Sequence, residues 1–119
     1  MKTIEKVLLI IGILIAIVIA YSSISGYSVK TDNLDDFAKC LTNKGAVMYG
    51  AVWCSHCKDQ KAMFGESFKY VNYVECPENQ ALCDQKGITG YPTWIINGMS
   101  YPGVQSLETL SNKTDCPLS

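Results

Sequence analysis

Two cysteines, Cys54 and Cys57, lie three residues apart where the sequence changes from a strand pattern to a helix pattern. The preceding segment, residues 46–52, is apolar almost throughout, which predicts a strand that is covered on both faces. The following segment, residues 57–69, has apolar side chains at helical spacing among lysines and acids, and Gly65 is expected to kink or interrupt that helix. The cysteine pair is therefore predicted at the carboxyl end of a strand and the amino end of a helix.

The rest of the chain after residue 30 also alternates between helix and strand patterns. A helix is predicted from Thr31 to Gly45, before the strand at 46–52. After the dithiol helix, the predicted elements are a strand at 70–76, a helix at 78–86, a hairpin at 93–101 around Asn97-Gly98 and a helix capped by Ser106. This order predicts an α/β fold, an open sheet whose site lies at the carboxyl end of a strand.

The amino-terminal segment is directed to a membrane. Residues 7–20 are uninterruptedly apolar, and residues 21–24 extend the run to the roughly 20 residues that a spanning helix needs. We predict a retained transmembrane anchor at residues 1–24. A signal peptide that is cleaved after Ala20 is the alternative, because that residue is small and follows a short apolar stretch.

The flanking charges predict the orientation of this segment. Lys2 and Lys6 outweigh Glu5, so the positive-inside rule leaves the start in the cytoplasm and the remainder outside. We therefore expect a single-pass protein of the cell membrane, with a short linker at residues 25–30 and an extracytoplasmic domain at residues 31–119.

The composition agrees with a location outside the cytosol. Six cysteines in 119 residues are an even number, which suits a compartment where disulfides persist. The 10 basic and 11 acidic residues nearly balance, so we expect no nucleic-acid partner.

The spacing of the pair predicts a reactive dithiol. At a helix amino terminus, unpaired backbone N–H groups favour the thiolate of Cys54, and His56 is expected to add to this effect. Cys57, one turn into the helix, is expected to be more covered and to act as the resolving thiol. A purely structural disulfide is the alternative, although so small a ring stabilises little on loop-entropy grounds.

A metal site is a further alternative. Cys54, His56 and Cys57 are all ligand types for copper or zinc, and Cys76 or Cys83 would complete a set. Zinc sites usually present a second closely spaced ligand pair, which these cysteines do not form. We therefore predict no metal and no cofactor, and a copper- or zinc-binding module stays the alternative.

The motif "WCSHC", followed by "GYPT" and an Asn-Gly hairpin, resembles a thioredoxin-fold domain over about residues 30–117. The segments "YVNYVEC" and "CDQKGITGYPTWIING" are more specific. With them the chain is similar to the thioredoxin-like domain that is fused to, or partnered with, vitamin K epoxide reductase-type membrane proteins. The resemblance implies a central mixed sheet flanked by helices.

The resemblance also implies a function, that of an extracytoplasmic thiol–disulfide oxidoreductase. Such a domain passes electrons from thiols of secreted proteins to the membrane enzyme, which delivers them to a quinone. Here a single anchor stands in place of several membrane helices, so the vitamin K epoxide reductase-like oxidase is expected to be a separate protein. An anchored disulfide reductase or isomerase, for example in cytochrome maturation, is the alternative.

Further site residues follow from the resemblance. It implies a cis Pro92 that faces the dithiol, whereas the residues alone would favour a trans proline that opens a strand. Tyr91 and Pro92 would then contact the substrate, and Trp53 is expected to shield the dithiol, to support a docked substrate and in part to belong to the core. Many thioredoxins carry a buried acid six residues before the first cysteine. Met48 occupies that position here, which favours oxidation of substrates over their reduction.

Six cysteines permit fifteen pairings, and the sequence alone does not choose among them. We favour Cys76 with Cys83 around Pro77, and then Cys40 with Cys116 by elimination, as structural disulfides. The alternative is a relay in which Cys76 and Cys83 exchange with the dithiol.

Overall fold

A computed structural model describes residues 1–24 and 33–118, and the predicted linker at 25–30 lies outside the described residues. The chain divides into two compact units, Met1–Thr31 and Asp32–Ser119. The first contains one helix, α1 (Lys2–Ile24). By length and composition, its Lys2–Ser22 segment suffices to cross a membrane, with a mean hydropathy of 2.6. A signal sequence near an amino terminus meets the same criteria, so both readings of this segment stand.

The second unit contains a four-stranded sheet with helices on both faces. Its elements are α2 (Asp35–Asn43), β1 (Val47–Gly50), α3 (Ser55–Phe64), a 3-10 helix (Gly65–Tyr70), β2 (Tyr73–Glu75), a 3-10 turn (Cys76–Glu78), α4 (Gln80–Gln85), β3 (Thr93–Ile96), β4 (Met99–Pro102) and α5 (Leu107–Thr114). The strand order is β2-β1-β3-β4. Strands β1 and β2 are parallel, whereas the β1–β3 and β3–β4 pairs are antiparallel. The expected mixed sheet is confirmed.

Strand β1 lies between two apolar clusters. Met48 belongs to the larger cluster, which includes Phe37 of α2, Phe64 of α3 and Leu110 of α5. The next residue, Tyr49, belongs to a smaller cluster on the opposite face. Because successive side chains of a strand point to opposite faces, both faces of β1 are covered, as its apolar sequence predicts.

The region after the dithiol differs from the predicted elements. Helix α3 starts at Ser55 and ends at Phe64, where Gly65 adopts a φ of 55°, so the predicted interruption is confirmed. The chain then continues as a 3-10 helix to Tyr70, and the strand predicted from residue 70 starts only at Tyr73. All three residues of β2 are half-buried.

The carboxyl-terminal predictions agree closely with the structure. Asn97 and Gly98 both have positive φ, 53° and 77°, the conformation that a two-residue hairpin turn requires. The Ser106 hydroxyl accepts a hydrogen bond from the N–H of Thr109 at 3.1 Å, and it caps α5 as predicted.

Candidate active site

Cys54 and Cys57 lie at the junction of β1 and α3 and have unequal exposure. Cys54 is the N-cap residue of α3, and its Sγ accepts a hydrogen bond from the backbone N–H of Cys57 at 3.2 Å. Cys54 keeps 8% of its surface exposed, whereas Cys57 keeps none. Both thiols are therefore buried, and of the two residues only Cys54 keeps a small part of its surface accessible to solvent.

The chemistry of the two thiols differs for the same reason. Burial raises the pKa of the Cys57 thiol to about 11, and a hydrogen bond with the Cys54 side chain adds to this increase. The backbone at Ala51 and the charge of Lys61 act in the opposite direction. Cys57 is consequently a protonated, inaccessible thiol at neutral pH, which is the state of a resolving cysteine before it reacts.

Of three further predicted residues, Tyr91 lies beside the Cys54 sulfur, and Trp53 and Pro92 adjoin Tyr91. The carbonyl oxygen of Tyr91 lies 3.6 Å from Cys54 Sγ, and the Tyr91–Pro92 peptide bond is cis. The ring of Trp53 meets the ring of Tyr91 edge to face, with 5.8 Å between centroids. Trp53 is 68% exposed, so the expectation that it belongs in part to the core was wrong. It precedes the helix on a loop and covers Tyr91 from outside.

His56 lies on the solvent side of α3. Its side chain is exposed, and its Nδ1 lies 3.9 Å from a carboxylate oxygen of Asp59, one turn along the helix. The predicted effect of His56 on the Cys54 thiolate stays a prediction.

The remaining cysteines form the two pairs that the sequence favours. Cys76 is bonded to Cys83, with 5.7 Å between their Cα atoms, and Cys40 is bonded to Cys116, with 5.8 Å. The second pair joins α2 to the segment after α5, and these two helices contact each other. Within residues 1–24 and 33–118, no group of three or more His, Cys, Asp or Glu side chains is arranged to hold a metal ion.

The comparison with known proteins agrees with this arrangement. The family model described as Thioredoxin matches residues 28–114. The chain belongs to the thioredoxin family. It is 46% identical over 86 residues to "Thiol-disulfide oxidoreductase LTO1" of Arabidopsis thaliana, a match that covers 65% of this chain and 23% of the relative. It is 33% identical over 84 residues to "Protein disulfide isomerase-like 2-2" of Oryza sativa subsp. japonica, with coverage of 58% and 23%.

Among solved structures, oxidised thioredoxin from Plasmodium falciparum is similar, with 21% identity, a TM-score of 0.41 and coverage of 66% of this chain and 86% of that chain. Each of the two curated relatives is much longer than the matched region, since the chain spans 23% of its length. The family membership and the geometry of the dithiol both support thiol–disulfide exchange as the chemistry of the site.

In this thioredoxin-family domain, two residues of β2 belong to the site although the sequence analysis did not single them out. The Tyr73 hydroxyl donates a hydrogen bond to Glu75 Oε2 at 2.6 Å, and the backbone N–H of Val52 donates to Glu75 Oε1 at 2.8 Å. Burial, and then the hydrogen bond to Glu75, raise the pKa of Tyr73. The sequence signal is the i, i+2 spacing of the two polar residues, which places them on one face of the strand.

Gln60 is the other residue that sequence reasoning missed. Its side chain is fully buried one turn after Cys57. Its Oε1 accepts hydrogen bonds from Trp94 Nε1 at 3.0 Å and from the backbone N–H of Gln105 at 2.7 Å, and its Nε2 donates to the Gln105 carbonyl at 3.0 Å. Gln60 thereby fixes α3, which carries the dithiol, to β3 and to the loop before α5.

Proposed function

We propose that this protein is an extracytoplasmic thiol–disulfide oxidoreductase that oxidises thiols of secreted proteins through Cys54 and Cys57. The observation that carries the proposal is the asymmetry of the pair: Cys54 Sγ caps a helix beside the Tyr91 carbonyl, whereas Cys57 is wholly buried. The names of the relatives, a thiol-disulfide oxidoreductase and a protein disulfide isomerase-like protein, support the same class of chemistry.

The proposed reaction starts from the Cys54–Cys57 disulfide. A substrate thiolate attacks the accessible Cys54 Sγ, the bond to Cys57 breaks, and the Cys57 sulfur leaves with the electron pair and takes up a proton. A second substrate thiolate attacks the substrate sulfur of the mixed disulfide, and Cys54 leaves as a thiolate. The substrate gains a disulfide, and the protein is left with two thiols.

Two features support oxidation as the direction. The N–H of Cys57 and the start of α3 stabilise negative charge on Cys54, which favours the reduced pair and makes its disulfide an oxidant. Met48, fully buried, stands where many thioredoxins carry an acid.

The exposed Trp53 ring and the Tyr91–Pro92 segment would contact an extended substrate chain, which pairs with the backbone by strand addition.

We further propose that a vitamin K epoxide reductase-like membrane oxidase, linked to a quinone, reoxidises the pair. The similarity of the dithiol, Cys76–Cys83 and cis-proline segments to domains that accompany such enzymes supports this partner. Helix α1 would hold the domain at the outer face of the cell membrane beside it, since α1 suffices by length to span and Lys2 and Lys6 precede its apolar run.

The first experiment is the equilibrium of the full chain in detergent with glutathione buffers. A reduction potential near about −120 mV supports the oxidase, whereas one near about −270 mV supports a reductase. With glutathione disulfide as the probe, Cys54→Ser should abolish exchange and Cys57→Ser should accumulate a mixed disulfide at Cys54. Exchange that persists in the Cys54→Ser variant contradicts the assignment of the nucleophile.

A matched control addresses the other disulfides. The double variant Cys76→Ala/Cys83→Ala should keep the exchange rate of the wild type, because these sulfurs are buried in the smaller cluster. Loss of exchange in this variant, with the fold retained, would favour the relay. The ability to reshuffle a scrambled test protein, rather than to oxidise a reduced one, would favour an isomerase.

A further inference from the structure

The proposed function leaves one chemical requirement unmet, the removal of the Cys57 proton. During reoxidation, Cys54 first forms a mixed disulfide with the partner, and Cys57 must then attack Cys54 Sγ as a thiolate. In the reduced protein, burial is the largest cause of a Cys57 pKa of about 11, at which only about one molecule in ten thousand carries the thiolate at pH 7. The thiol is also inaccessible to solvent. A proton acceptor inside the domain is therefore needed for rapid turnover.

The residue at the position of the usual buried acid cannot serve, because Met48 has no titratable group. In the parallel register of β1 and β2, however, Met48 lies opposite Tyr73, and Gly50 lies opposite Glu75. Two groups that can relay and accept a proton thus stand on the neighbouring strand, beside the position where the acid is missing.

Gly50 allows these groups to approach the thiol. A Cβ atom on Gly50 would lie 2.9 Å from Cys57 Sγ, 3.2 Å from Tyr73 Cε2 and 3.4 Å from Tyr73 Oη. The phenol and the thiol consequently face the same point above the Gly50 backbone. Any larger residue there would fill the space between them.

The Tyr73 hydroxyl is already directed to an acceptor, the half-buried carboxylate of Glu75. It donates its hydrogen to Glu75 Oε2 at 2.6 Å, and Glu75 Oε1 accepts the N–H of Val52, a residue that is 66% exposed. Lys61 Nζ lies 4.0 Å from the centroid of the Tyr73 ring. The charges of Cys57 and Cys54 contribute to the raised pKa of Tyr73, so the phenol and the two sulfurs interact electrostatically.

We propose that Tyr73 and Glu75 form the route by which Cys57 gives up and regains its proton. The Cys57 proton moves to Tyr73 Oη as the Tyr73 hydroxyl proton moves to Glu75 Oε2. The electron pair of the former S–H bond stays on the Cys57 sulfur, which uses it to form the bond to Cys54 Sγ. The bond between Cys54 and the partner's sulfur breaks, and the partner's sulfur leaves with that bond's electron pair. Glu75 then releases the proton to solvent, and the reverse transfer protonates Cys57 during substrate oxidation.

The charged and titratable groups that face this route come from two elements. Cys54 and Lys61 lie on or at the start of α3, and Tyr73 and Glu75 lie on β2. The Lys61 charge lowers the pKa of Cys57 and thus assists removal of the proton. Phe68 of the 3-10 helix packs against Tyr73 and carries no charge.

The experiment separates the two sulfur steps with dithiodipyridine, using the full-length reduced protein in detergent under stopped flow. The first pyridinethione is released when Cys54 attacks the reagent, and the second when Cys57 closes the disulfide. Cys57→Ser should release one equivalent only, which assigns the second phase. This first phase and its stoichiometry test the proposed function, and the second phase alone tests the proton route.

Tyr73→Phe and Glu75→Gln should each slow the second phase about tenfold or more at neutral pH, since general-base assistance contributes about 100-fold or more. In both variants its rate should rise about tenfold per pH unit from about pH 6 to 9, because hydroxide replaces the internal base. The first phase should stay unchanged. The double variant should be no slower than the slower single variant.

Matched controls are Tyr70→Phe and Glu78→Gln, which change a half-buried phenol on the 3-10 helix and an exposed acid on the turn after β2. Both should retain the second phase of the wild type. A second phase with unaltered rate and pH dependence in Tyr73→Phe and Glu75→Gln overturns the proton route. Equal slowing of both phases also overturns it, because that result indicates a displaced helix start. Glu75→Gln keeps an acceptor for Val52, so it decides the question if Tyr73→Phe does not fold.

Discussion

The Sγ atom of Cys54 accepts a hydrogen bond from the backbone N–H of Cys57 at 3.2 Å, so the sulfur that reacts is also the cap of the helix that carries its partner. A sulfur at the N-cap replaces the oxygen of the usual Ser, Thr, Asp or Asn. When Cys54 leaves as a thiolate, this bond gains charge assistance. Helix capping and leaving-group stabilisation are therefore the same interaction in this site.

The buried thiol makes the stability of the reduced protein dependent on pH. The pKa of Cys57 rises from 9.0 to about 11 on folding, so the folded state holds a proton that the unfolded chain has already lost in this range. The stability that this proton contributes is complete below the pKa of the unfolded chain, 9.0, and it is lost as pH rises through the pKa of the folded state, about 11. We expect the free energy of unfolding of the reduced protein to fall by about 2 to 3 kcal/mol between about pH 9 and 11.

The measurement is denaturant unfolding of the reduced protein, followed by tryptophan fluorescence at a series of pH values. The control is Cys57→Ser, whose hydroxyl does not titrate in this range. Tyr49, whose pKa burial also raises, titrates in both proteins and cancels in the difference. Tyr73 adds to the difference in the same direction, because the Cys57 charge is among the causes that raise its pKa. An identical slope in wild type and variant would contradict the burial of an uncharged Cys57.

Gly50 is predicted to be intolerant of even the smallest side chain. Gly50→Ala would place a methyl group 2.9 Å from Cys57 Sγ and 3.2 Å from the Tyr73 ring, both held by packed elements. We expect a loss of about 1 to 3 kcal/mol in the free energy of unfolding. The matched control is Gly90→Ala, because a Cβ there meets no atom within 4 Å. Thermal unfolding of the two variants checks the prediction, and equal midpoints would count against it.

The sequence predicts the parts of the fold and site that are local. The positions of Cys54 and Cys57 depend on a strand pattern and a helix pattern that adjoin them, and Gly65 ends the helix through its own backbone conformation. The late start of β2 could not be predicted. The preceding 3-10 helix is held by a hydrogen bond from Ser67 to Asp35 at 2.6 Å, a contact between residues 32 positions apart.

The missed site residues share this dependence on distant contacts. Glu75 approaches the dithiol because β2 pairs with β1 in the register that sets it opposite Gly50. Gln60 has the sequence context of a surface residue, and its burial depends on Trp94 and Gln105 from distant parts of the chain. Such residues become recognisable only when the strand register and the packing of α3 are known.

Gln60 is predicted to stabilise the fold through its side-chain amide. Gln60→Met keeps the length of the side chain but leaves Trp94 Nε1–H and the Gln105 N–H without this acceptor. Because an unsatisfied buried donor costs about 1 to 3 kcal/mol, we expect a loss of about 2 kcal/mol or more. Gln85→Met, at an exposed position of α4, is the control and should change stability by less than about 0.5 kcal/mol. Equal unfolding free energies for the two variants would contradict the role of Gln60.

Trp53 is predicted to affect substrate use and not stability. Its ring is 68% exposed and contacts Tyr91 edge to face, so Trp53→Ala should change the free energy of unfolding by less than about 1 kcal/mol. For a reduced cysteine-containing peptide, kcat/KM should fall about fivefold, because an aromatic contact is worth about 1 kcal/mol. The rate with dithiodipyridine should stay the same. Met99→Ala, at a similarly exposed position on β4, should alter neither rate, and a fall in both would point to a general effect of surface apolar residues.

The two structural disulfides are predicted to stabilise the domain unequally. Cys40 and Cys116 are 76 residues apart in sequence, whereas Cys76 and Cys83 are 7 apart, so the first bond restricts the unfolded chain far more. Loop entropy gives about 4.5 kcal/mol for the long loop and about 2.4 kcal/mol for the short one. The double alanine variant of the long-range pair should therefore have the lower urea midpoint. If removal of the short-range pair were the more costly, the packing of the Cys76–Cys83 sulfurs beneath Tyr49, and not chain entropy, would be their main contribution.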